Sequence, residues 1–225
     1  MRKKLFLISG LFIFSTMAHS SDLVVSDFKE ASGWPVKEKK DFFFNNLYEL
    51  VLVANDNVEK ERVEIKKSNE IASYCTKYRV EDCTKENLFK KVNVIPPSLA
   101  LAQAANESAW GTSRFAQKAN NLFGEWCFSK GCGIVPLSRP EGKTYEVEKF
   151  SILSESVASY IHNLNSHPAY EKLREAREVV GVNGYEMAVG LESYSARGEK
   201  YIKEIQSMIE YNKLQEYDKK FNNKK

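Results

Sequence analysis

Hydrophobic residues recur at helical spacing along most of the chain, and this periodicity predicts a mainly α-helical protein. A helix over 35–55 begins with a proline, which suits a first helical turn. A charge-rich helix is predicted over 58–74 and a brief one over 84–91. Residues 21–93 therefore form an N-terminal helical extension, whose first part, 21–34, shows no clear period and is predicted to be loosely held.

The second half of the chain continues the helical pattern around a short region of different character. Pro96 and Pro97 precede a helix over 98–110 that is rich in alanine, and small side chains let neighbouring backbones approach closely. Residues 123–150 are rich in glycine, and apolar and charged residues alternate over 145–150, which favours a β-hairpin. Further helices are predicted from Ser154 and over 113–119, 170–180, 185–191 and 198–217, before a frayed tail over 218–225.

The first twenty residues have the order of a secretory signal peptide. Three basic residues at 2–4 precede an apolar run over 5–14 and small residues over 15–20. The apolar run is about half of the roughly 20 residues that span a bilayer, so a permanent anchor is the weaker alternative. We predict a cleaved signal over 1–20 and an exported, periplasmic protein without a stable membrane span.

Charge and motifs exclude several classes of partner. The chain has 33 basic and 30 acidic residues, and loss of the three basic residues of the signal leaves the two signs balanced. A nucleic-acid-binding protein usually shows a basic excess or stripe, so we expect no nucleic-acid partner. The sequence contains no glycine-rich phosphate loop and no zinc-ligand cluster. We therefore expect a monomer that needs no cofactor and no metal.

The four cysteines allow three disulfide pairings in an oxidising compartment, and we predict the two sequence-local ones: Cys75 with Cys83 and Cys127 with Cys132. A metal or thiol site is the alternative, but no matching ligand spacing accompanies these cysteines. His162 and His167 could serve a cysteine nucleophile, which would need a free thiol with a depressed pKa. A disulfide within the β-lobe is the simpler interpretation.

Glu107 lies near the end of the alanine-rich helix. Gln103, one turn earlier, shares its face, and Trp110 is close by. A carboxyl group in that setting is partly desolvated, which favours the protonated form that a general acid needs near neutral pH. The alternative is a surface glutamate that forms an ordinary ion pair at a helix end.

Asn121, Phe123, Gly124 and Trp126 combine an amide, two aromatic rings and a glycine that can adopt unusual dihedral angles. Sugar rings have apolar faces and polar edges, so an aromatic ring beside an amide is a natural platform for a sugar. The alternative is that the two aromatic residues belong to the core and that Asn121 caps a helix.

Two runs resemble the signature of glycoside hydrolase family 73, the glucosaminidases of bacterial peptidoglycan: Ala104-Ala105-Asn106-Glu107-Ser108-Ala109-Trp110-Gly111 and Asn121-Leu122-Phe123-Gly124. A fuller set is similar to the Bax-like proteins of Gram-negative bacteria: 120–133, His162-Asn163-Leu164-Asn165 and His167-Pro168-Ala169-Tyr170. The resemblance covers about 94–211. It implies a lysozyme-like domain over 94–217, in which a helical lobe and a small β-hairpin lobe enclose a cleft.

The resemblance also implies roles for individual residues. Glu107 matches the proton donor, and Tyr194 matches the cleft tyrosine of the catalytic site. The second carboxylate is expected on the hairpin, where Glu146 is the first choice and Glu141 the second; either could instead be an ordinary ion-pair residue. Residues expected to contact substrate are Gln103, Trp110, Asn121, Phe123, Trp126 and Tyr201.

These inferences predict an endo-β-N-acetylglucosaminidase that cleaves the glycan strands of peptidoglycan. A lytic transglycosylase uses the same fold with a single acid and is the nearest alternative. A catalytically silent glycan-binding or assembly module is the alternative from another class. Carboxyl groups about 5 Å apart would give retention and about 6.5–9.5 Å inversion, whereas a substrate acetamido group could replace one of them. The sequence leaves this choice open.

Overall fold

The computed structural model describes residues 23–224, so the signal peptide predicted over 1–20 lies outside it. Within this part of the chain, helices dominate and one small antiparallel sheet accompanies them, which confirms the predicted mainly α (α+β) class. No helix among residues 23–224 is both long and apolar enough to cross a bilayer.

The helices are α1 (Val25–Ala31), α2 (Val36–Lys67), α3 (Ala72–Lys77), α4 (Lys85–Lys91), α5 (Pro97–Ser108), α6 (Arg114–Ala119), α7 (Leu153–Ser166), α8 (Glu171–Val180), α9 (Gly184–Met187), α10 (Glu199–Tyr211) and α11 (Gln215–Asn222). Short 3₁₀ turns cover Pro168–Tyr170 and Ala188–Leu191. The strands are β1 (Trp126–Cys127), β2 (Gly133–Ile134) and β3 (Glu146–Glu148).

The N-terminal extension is more ordered than its sequence pattern indicates. The segment predicted to be loosely held contains α1, whose Phe28 is buried against Phe43 of α2, with ring centroids 4.8 Å apart. The break predicted after Asn55 is also wrong, because α2 continues through it. The Asn55 side chain does not terminate the helix, since its amide pairs with both the N–H and the carbonyl of Ile95 at 2.9 Å.

Helix α5 is the centre of the molecule, and it packs against α2, α9, α10 and α11. Its alanines are almost completely buried, as the close approach of neighbouring helices requires. Gly184 of α9 illustrates this closeness, because a Cβ at that position would lie 2.1 Å from the Ser98 hydroxyl. The helix ends at Ser108, two residues earlier than predicted, where Ala109 and Trp110 both adopt positive φ angles.

The C-terminal end is helical rather than frayed. Lys213, with a φ angle of +54°, interrupts the helix predicted over 198–217 and separates α10 from α11. Asp218 of α11 is buried and accepts hydrogen bonds from the Ser98 N–H, the Ser98 hydroxyl and the Gly184 N–H. The first N–H groups of a helix have no partner within it, so Asp218 satisfies part of the α5 N-terminus and thereby anchors the tail.

The β-lobe is a three-stranded sheet rather than a simple hairpin. β3 is the central strand and pairs antiparallel with β1 on one side and β2 on the other. The connection between β1 and β2 is closed by the Cys127–Cys132 disulfide, and a second disulfide joins Cys75 to Cys83. Both predicted pairings are confirmed.

Candidate active site

A cleft of about 510 Å³ separates the helical lobe from the β-lobe. Its walls come from the end of α5, the turn before β1, strand β3, helix α7 and the loop before α10. A loop of the N-terminal extension contributes Arg79. Three carboxylate side chains line it: Glu107, Glu125 and Glu148. The cleft also presents aromatic rings: Phe123, Trp126, Phe128, Tyr170 and Tyr194.

Glu107 is held by a directional chain of hydrogen bonds through the core. The Tyr160 hydroxyl donates to Oε1 of Gln103 at 2.6 Å, and Nε2 of Gln103 donates to the Tyr201 hydroxyl at 2.9 Å. Tyr201 in turn donates to Oε1 of Glu107 at 2.7 Å. Burial and the nearby Glu107 raise the pKa of Tyr201 well above its usual range, so its hydroxyl stays protonated and remains a donor.

The other carboxyl oxygen of Glu107 faces the turn at Gly124. A Cβ built on Gly124 would lie 3.8 Å from Oε2 of Glu107, and the backbone there has a φ angle of +70°. A glycine suits both the positive φ angle and the open space beside the carboxyl group. Because Oε1 is occupied by Tyr201, Oε2 is the oxygen that is available to exchange a proton in the cleft.

Asn121 holds this turn in place and has almost no exposed surface. Its Oδ1 accepts from the N–H groups of Phe123 and Glu125, and its Nδ2 donates to the carbonyls of Glu125 and Glu148. All four bonds are to backbone groups, so Asn121 fastens the turn to β3. We therefore assign it a positioning role in place of the predicted contact with substrate.

Gln103 and Tyr201 are likewise fully buried, which removes them from direct contact with a ligand in the cleft. Trp110 points elsewhere, because its ring packs edge-on against Phe43 and Phe44 of α2. Although Trp110 is only three residues from Glu107 in sequence, its side chain does not line the cleft, because the backbone turns at the positive φ angles of Ala109 and Trp110. With Asn121, four of the six residues predicted to contact substrate are therefore engaged by the fold instead: Gln103, Trp110, Asn121 and Tyr201.

Trp126 and Phe123 both line the cleft, in different ways. Trp126 is 48% exposed and its ring meets Tyr145 edge-on with centroids 4.4 Å apart, so part of its apolar surface is accessible at the cleft. Phe123 lies on the floor, almost fully buried and stacked on Tyr160 with ring centroids 3.9 Å apart. Phe128, which the sequence analysis missed, is largely exposed beside Trp126 in the cleft.

Tyr194 lies at the cleft, where its hydroxyl donates to the Phe123 carbonyl at 2.9 Å. Its ring stacks on Tyr201 with centroids 5.4 Å apart and planes within 6°. Burial raises the pKa of Tyr194 well above its usual range, so this group is a hydrogen-bond donor and not a base. The structure brings Tyr194, Tyr201 and Glu107 together, as the two-tyrosine pattern suggests.

Glu146, the first choice for the second carboxylate, is directed into the β-lobe. Its carboxylate accepts hydrogen bonds from the N–H groups of Gly131 and Gly133 at 3.1 and 2.8 Å. These bonds lower the pKa of Glu146 and brace the disulfide-closed connection. Glu146 is not among the residues that line the cleft, and neither is the exposed Glu141.

Glu148 lies two residues further along β3 and does line the cleft. Successive side chains of a strand alternate between faces, so Glu146 and Glu148 share a face as predicted, but only Glu148 lines the cleft. Partial burial raises the pKa of Glu148. The sequence pattern placed Glu146 and Glu148 on one face of the strand, whereas which of the two lines the cleft depends on where β3 meets the helical lobe.

Glu125 is a carboxyl group of the cleft that the sequence analysis missed. Its Oε2 accepts a hydrogen bond from the Ser159 hydroxyl at 2.8 Å, and its Oε1 is buried without a partner among the described residues. Burial, together with the charge of Glu148, raises the pKa of Glu125 to about 8, although the Ser159 bond opposes this. Its place directly after the Asn-Leu-Phe-Gly run was the available signal.

The histidines and cysteines do not assemble a thiol nucleophile. All four cysteines are in disulfides. His162 packs edge-on against Tyr78, and burial with nearby positive charges lowers the pKa of both His162 and His167. Within residues 23–224, one cluster of metal-type donors comprises Cys127, Cys132 and Glu146, and its two sulfurs are bonded to each other.

Comparison with known proteins places this site in a family. The glucosaminidase family model, described as mannosyl-glycoprotein endo-β-N-acetylglucosaminidase, matches residues 84–214. The chain is 37% identical to protein Bax of Escherichia coli (strain K12) over 130 residues, which are 56% of this chain and 46% of that protein. It is 30% identical to exo-glucosaminidase LytG of Bacillus subtilis (strain 168) over 138 residues, 58% of this chain and 49% of LytG.

The chain therefore spans about half the length of the curated relatives that it matches. No solved structure shows a significant match to it. The matched region includes Glu107, Glu125 and Glu148, but it begins after Arg79.

Proposed function

This chain belongs to the glucosaminidase family, and from that premise we propose that it is an exported endo-β-N-acetylglucosaminidase that hydrolyses the glycan strands of peptidoglycan. The observation that carries this proposal is the geometry of Glu107, a carboxyl group held in a cleft by the buried chain Tyr160–Gln103–Tyr201. The similarity to LytG, a protein named as an exo-glucosaminidase, supports the same class of bond cleavage.

In this proposal Glu107 protonates the glycosidic oxygen from Oε2. Tyr201 holds Oε1 by a hydrogen bond, which fixes the carboxyl plane and leaves Oε2 towards the cleft. A fixed acid near the leaving oxygen lowers the barrier because no reorganisation is needed at the moment of proton transfer. After bond cleavage, the ionised Glu107 retains the Tyr201 donor, which stabilises its charge.

The second carboxylate in this proposal is Glu148. Glycoside hydrolysis passes through an oxocarbenium-like transition state, and a carboxylate on the opposite wall stabilises its positive charge or activates water. Glu148 lines the cleft from β3 of the β-lobe, whereas Glu107 lines it from the end of α5 in the helical lobe. Glu125 serves a different purpose, since its raised pKa keeps it neutral at pH 7 and so limits repulsion among the three acids.

Substrate binding rests on the exposed aromatic rings of the β-lobe. Trp126 and Phe128 present apolar surface to the cleft, and Asn163 adds an amide from α7. The faces of sugar rings stack on such surfaces while their hydroxyls bond to polar groups. The two disulfides agree with an oxidising compartment, which supports the proposed periplasmic location.

The decisive experiment is mass spectrometry of the products released from purified peptidoglycan by the protein without residues 1–20. Products with N-acetylglucosamine at the reducing end support the proposal, and release of internal fragments before single sugars supports the endo mode. A 1,6-anhydro-N-acetylmuramic end would instead show a lytic transglycosylase. Absence of any product would show a silent glycan-binding or assembly module.

The variant Glu107→Gln tests the assignment of the acid. We expect its turnover to fall below about 1% of wild type, since general acid catalysis alone contributes roughly 10²–10⁴-fold. Glu186→Gln, an exposed position on α9, is the matched control and keeps wild-type turnover. A Glu107→Gln protein with a native circular dichroism spectrum and more than a tenth of wild-type turnover would overturn the assignment.

A further inference from the structure

One end of the cleft is formed by a part of the chain outside the family match. The loop between α3 and α4 is closed by the Cys75–Cys83 disulfide, and Arg79 from this loop lines the cleft together with His162 and His167. The family match begins at residue 84, so Arg79 belongs to the N-terminal extension. The extension therefore contributes a charged side chain to the cleft as well as supporting the helical core.

The loop holds Arg79 in a defined and unfavourable backbone conformation. Its φ angle is +53°, in the left-handed region that L-residues with a side chain rarely adopt. Lys91 stabilises this turn by donating from Nζ to the carbonyls of Tyr78 and Arg79 at 3.0 and 2.6 Å. The buried Tyr78 and the bond from the Val80 N–H to the Cys75 carbonyl anchor it further.

The guanidinium of Arg79 is exposed and has no carboxylate within ion-pair distance among residues 23–224. Lys77, two residues earlier, differs because it pairs with Glu61 at 2.6 Å. The positive charge of Arg79 acts within the cleft, because it helps to lower the pKa of His162 and His167. At pH 7 these histidines are therefore neutral hydrogen-bonding groups beside a cation that forms no ion pair among residues 23–224.

The acidic residues that line the cleft and the cationic Arg79 therefore come from different elements of the structure. Glu107, Glu125 and Glu148 come from α5 and the β-lobe, whereas Arg79 comes from the disulfide-closed loop beside the end of α7. A strand built only of N-acetylglucosamine is uncharged and would leave Arg79 unpaired. A peptidoglycan strand carries carboxylates on every second sugar, either on the free lactyl group or on the peptide attached to it.

We propose that Arg79 forms a subsite for a carboxylate borne by the muramic acid residues of the strand, so that the N-terminal extension selects peptidoglycan over neutral glycans. The proposal rests on the proposed function and specifies its substrate. A guanidinium can bind a carboxylate through two parallel hydrogen bonds, which gives both orientation and selectivity. His167 and Asn163 lie beside it to bond the neighbouring polar groups.

Binding measurements in the Glu107→Gln background test the subsite without turnover. Calorimetry compares three ligands: peptidoglycan strands with peptides, strands freed of peptides by an amidase, and chitotetraose. Arg79→Gln should weaken binding of a carboxylate-bearing strand by about tenfold and of chitotetraose by less than about twofold. Weakening for both kinds of strand identifies the lactyl carboxylate, and weakening only for peptide-bearing strands identifies the peptide.

Two further variants sharpen the result. Arg79→Lys should recover only part of the affinity, because an ammonium lacks the two-pronged geometry of a guanidinium. Lys60→Gln, which removes an exposed charge from α2, should change none of the three affinities. The subsite would be overturned if Arg79→Gln weakened the binding of all three ligands equally, or of none of them. It would also be overturned if Lys60→Gln had the same effect as Arg79→Gln, or if the strands showed no measurable binding. Turnover of sacculi by the wild-type protein tests the proposed function separately.

Discussion

The hydroxyl of Tyr201 and the carboxyl group of Glu107 are joined by a 2.7 Å hydrogen bond across 94 residues of sequence. Tyr201 also accepts from Gln103, so its proton is directed towards Glu107. Since Tyr201 is fully buried whereas Glu107 is partly exposed in the cleft, the bond acts on the position and charge of the carboxyl group from beneath it.

Removal of the Tyr201 hydroxyl should impair the chemical step more than substrate binding. Tyr201→Phe is expected to lower kcat by about tenfold to a hundredfold with little change in KM, since hydrogen bonds to charged groups contribute about 1.5–3 kcal/mol. Steady-state kinetics measure kcat and KM separately.

Tyr211→Phe is the control for this substitution, because Tyr211 is largely exposed on α10. It should leave kcat and KM unchanged. A Tyr201→Phe enzyme with only a lower thermal stability and normal kinetics would show that Tyr201 has a purely structural role.

Three glutamates of the β-lobe should respond differently to substitution by glutamine. Glu148→Gln is expected to lower turnover by about a hundredfold, since its carboxylate faces the cleft. Glu146→Gln should chiefly destabilise the fold, by about 1–2 kcal/mol, because an amide NH₂ group would face one of two N–H donors. Glu141→Gln should match wild type. Turnover and urea unfolding of all three decide the assignment, and a large catalytic loss confined to Glu146→Gln would reverse it.

Glu125 should make the stability of the protein fall as pH rises. Its pKa is raised from 4.5 unfolded to about 8 folded, so the folded state binds more protons between these values. Its contribution to stability is full below about pH 4.5 and is lost progressively as pH rises through about 8, on the order of a few kcal/mol.

Glu125→Gln should remove this dependence of stability on pH. Urea unfolding at pH 5, 7 and 9 measures it, with Glu186→Gln as control; parallel pH profiles for wild type and Glu125→Gln would contradict it.

The two disulfides should stabilise separate parts of the structure. Replacing Cys127 and Cys132 by serine is expected to cost about 2 kcal/mol, the value for closing a short loop, and to increase hydrogen exchange mainly in the three strands. The corresponding Cys75 and Cys83 double variant is the matched control and should affect the Arg79 loop instead. Thiol titration of the unreduced, denatured protein should find no reactive thiol. Two reactive thiols, or the same exchange pattern in both variants, would be inconsistent with this assignment.

The sequence by itself determined the features that arise from local interactions. Helical periodicity located most helices to within a few residues, and the short separations of the cysteines indicated both disulfides correctly. The motif around Glu107 identified the carboxyl group at the end of α5, and the Asn-Leu-Phe-Gly run identified the turn that faces it. These features depend on neighbours within one or two helical turns, so the pattern of residues is sufficient to reveal them.

Only the tertiary structure decided which side chains face the cleft. Asn55 continues a helix because Ile95 satisfies its amide, and Trp110 leaves the site because the chain turns at positive φ after α5. Burial between the lobes and the nearby Glu148 raise the pKa of Glu125, while Ser159, 34 residues away, holds its carboxyl group by a hydrogen bond. Glu148 rather than Glu146 reaches the cleft because of where β3 meets the helical lobe. Each outcome depends on contacts between elements distant in sequence, and the periodicity of a single element carries no information about its partners.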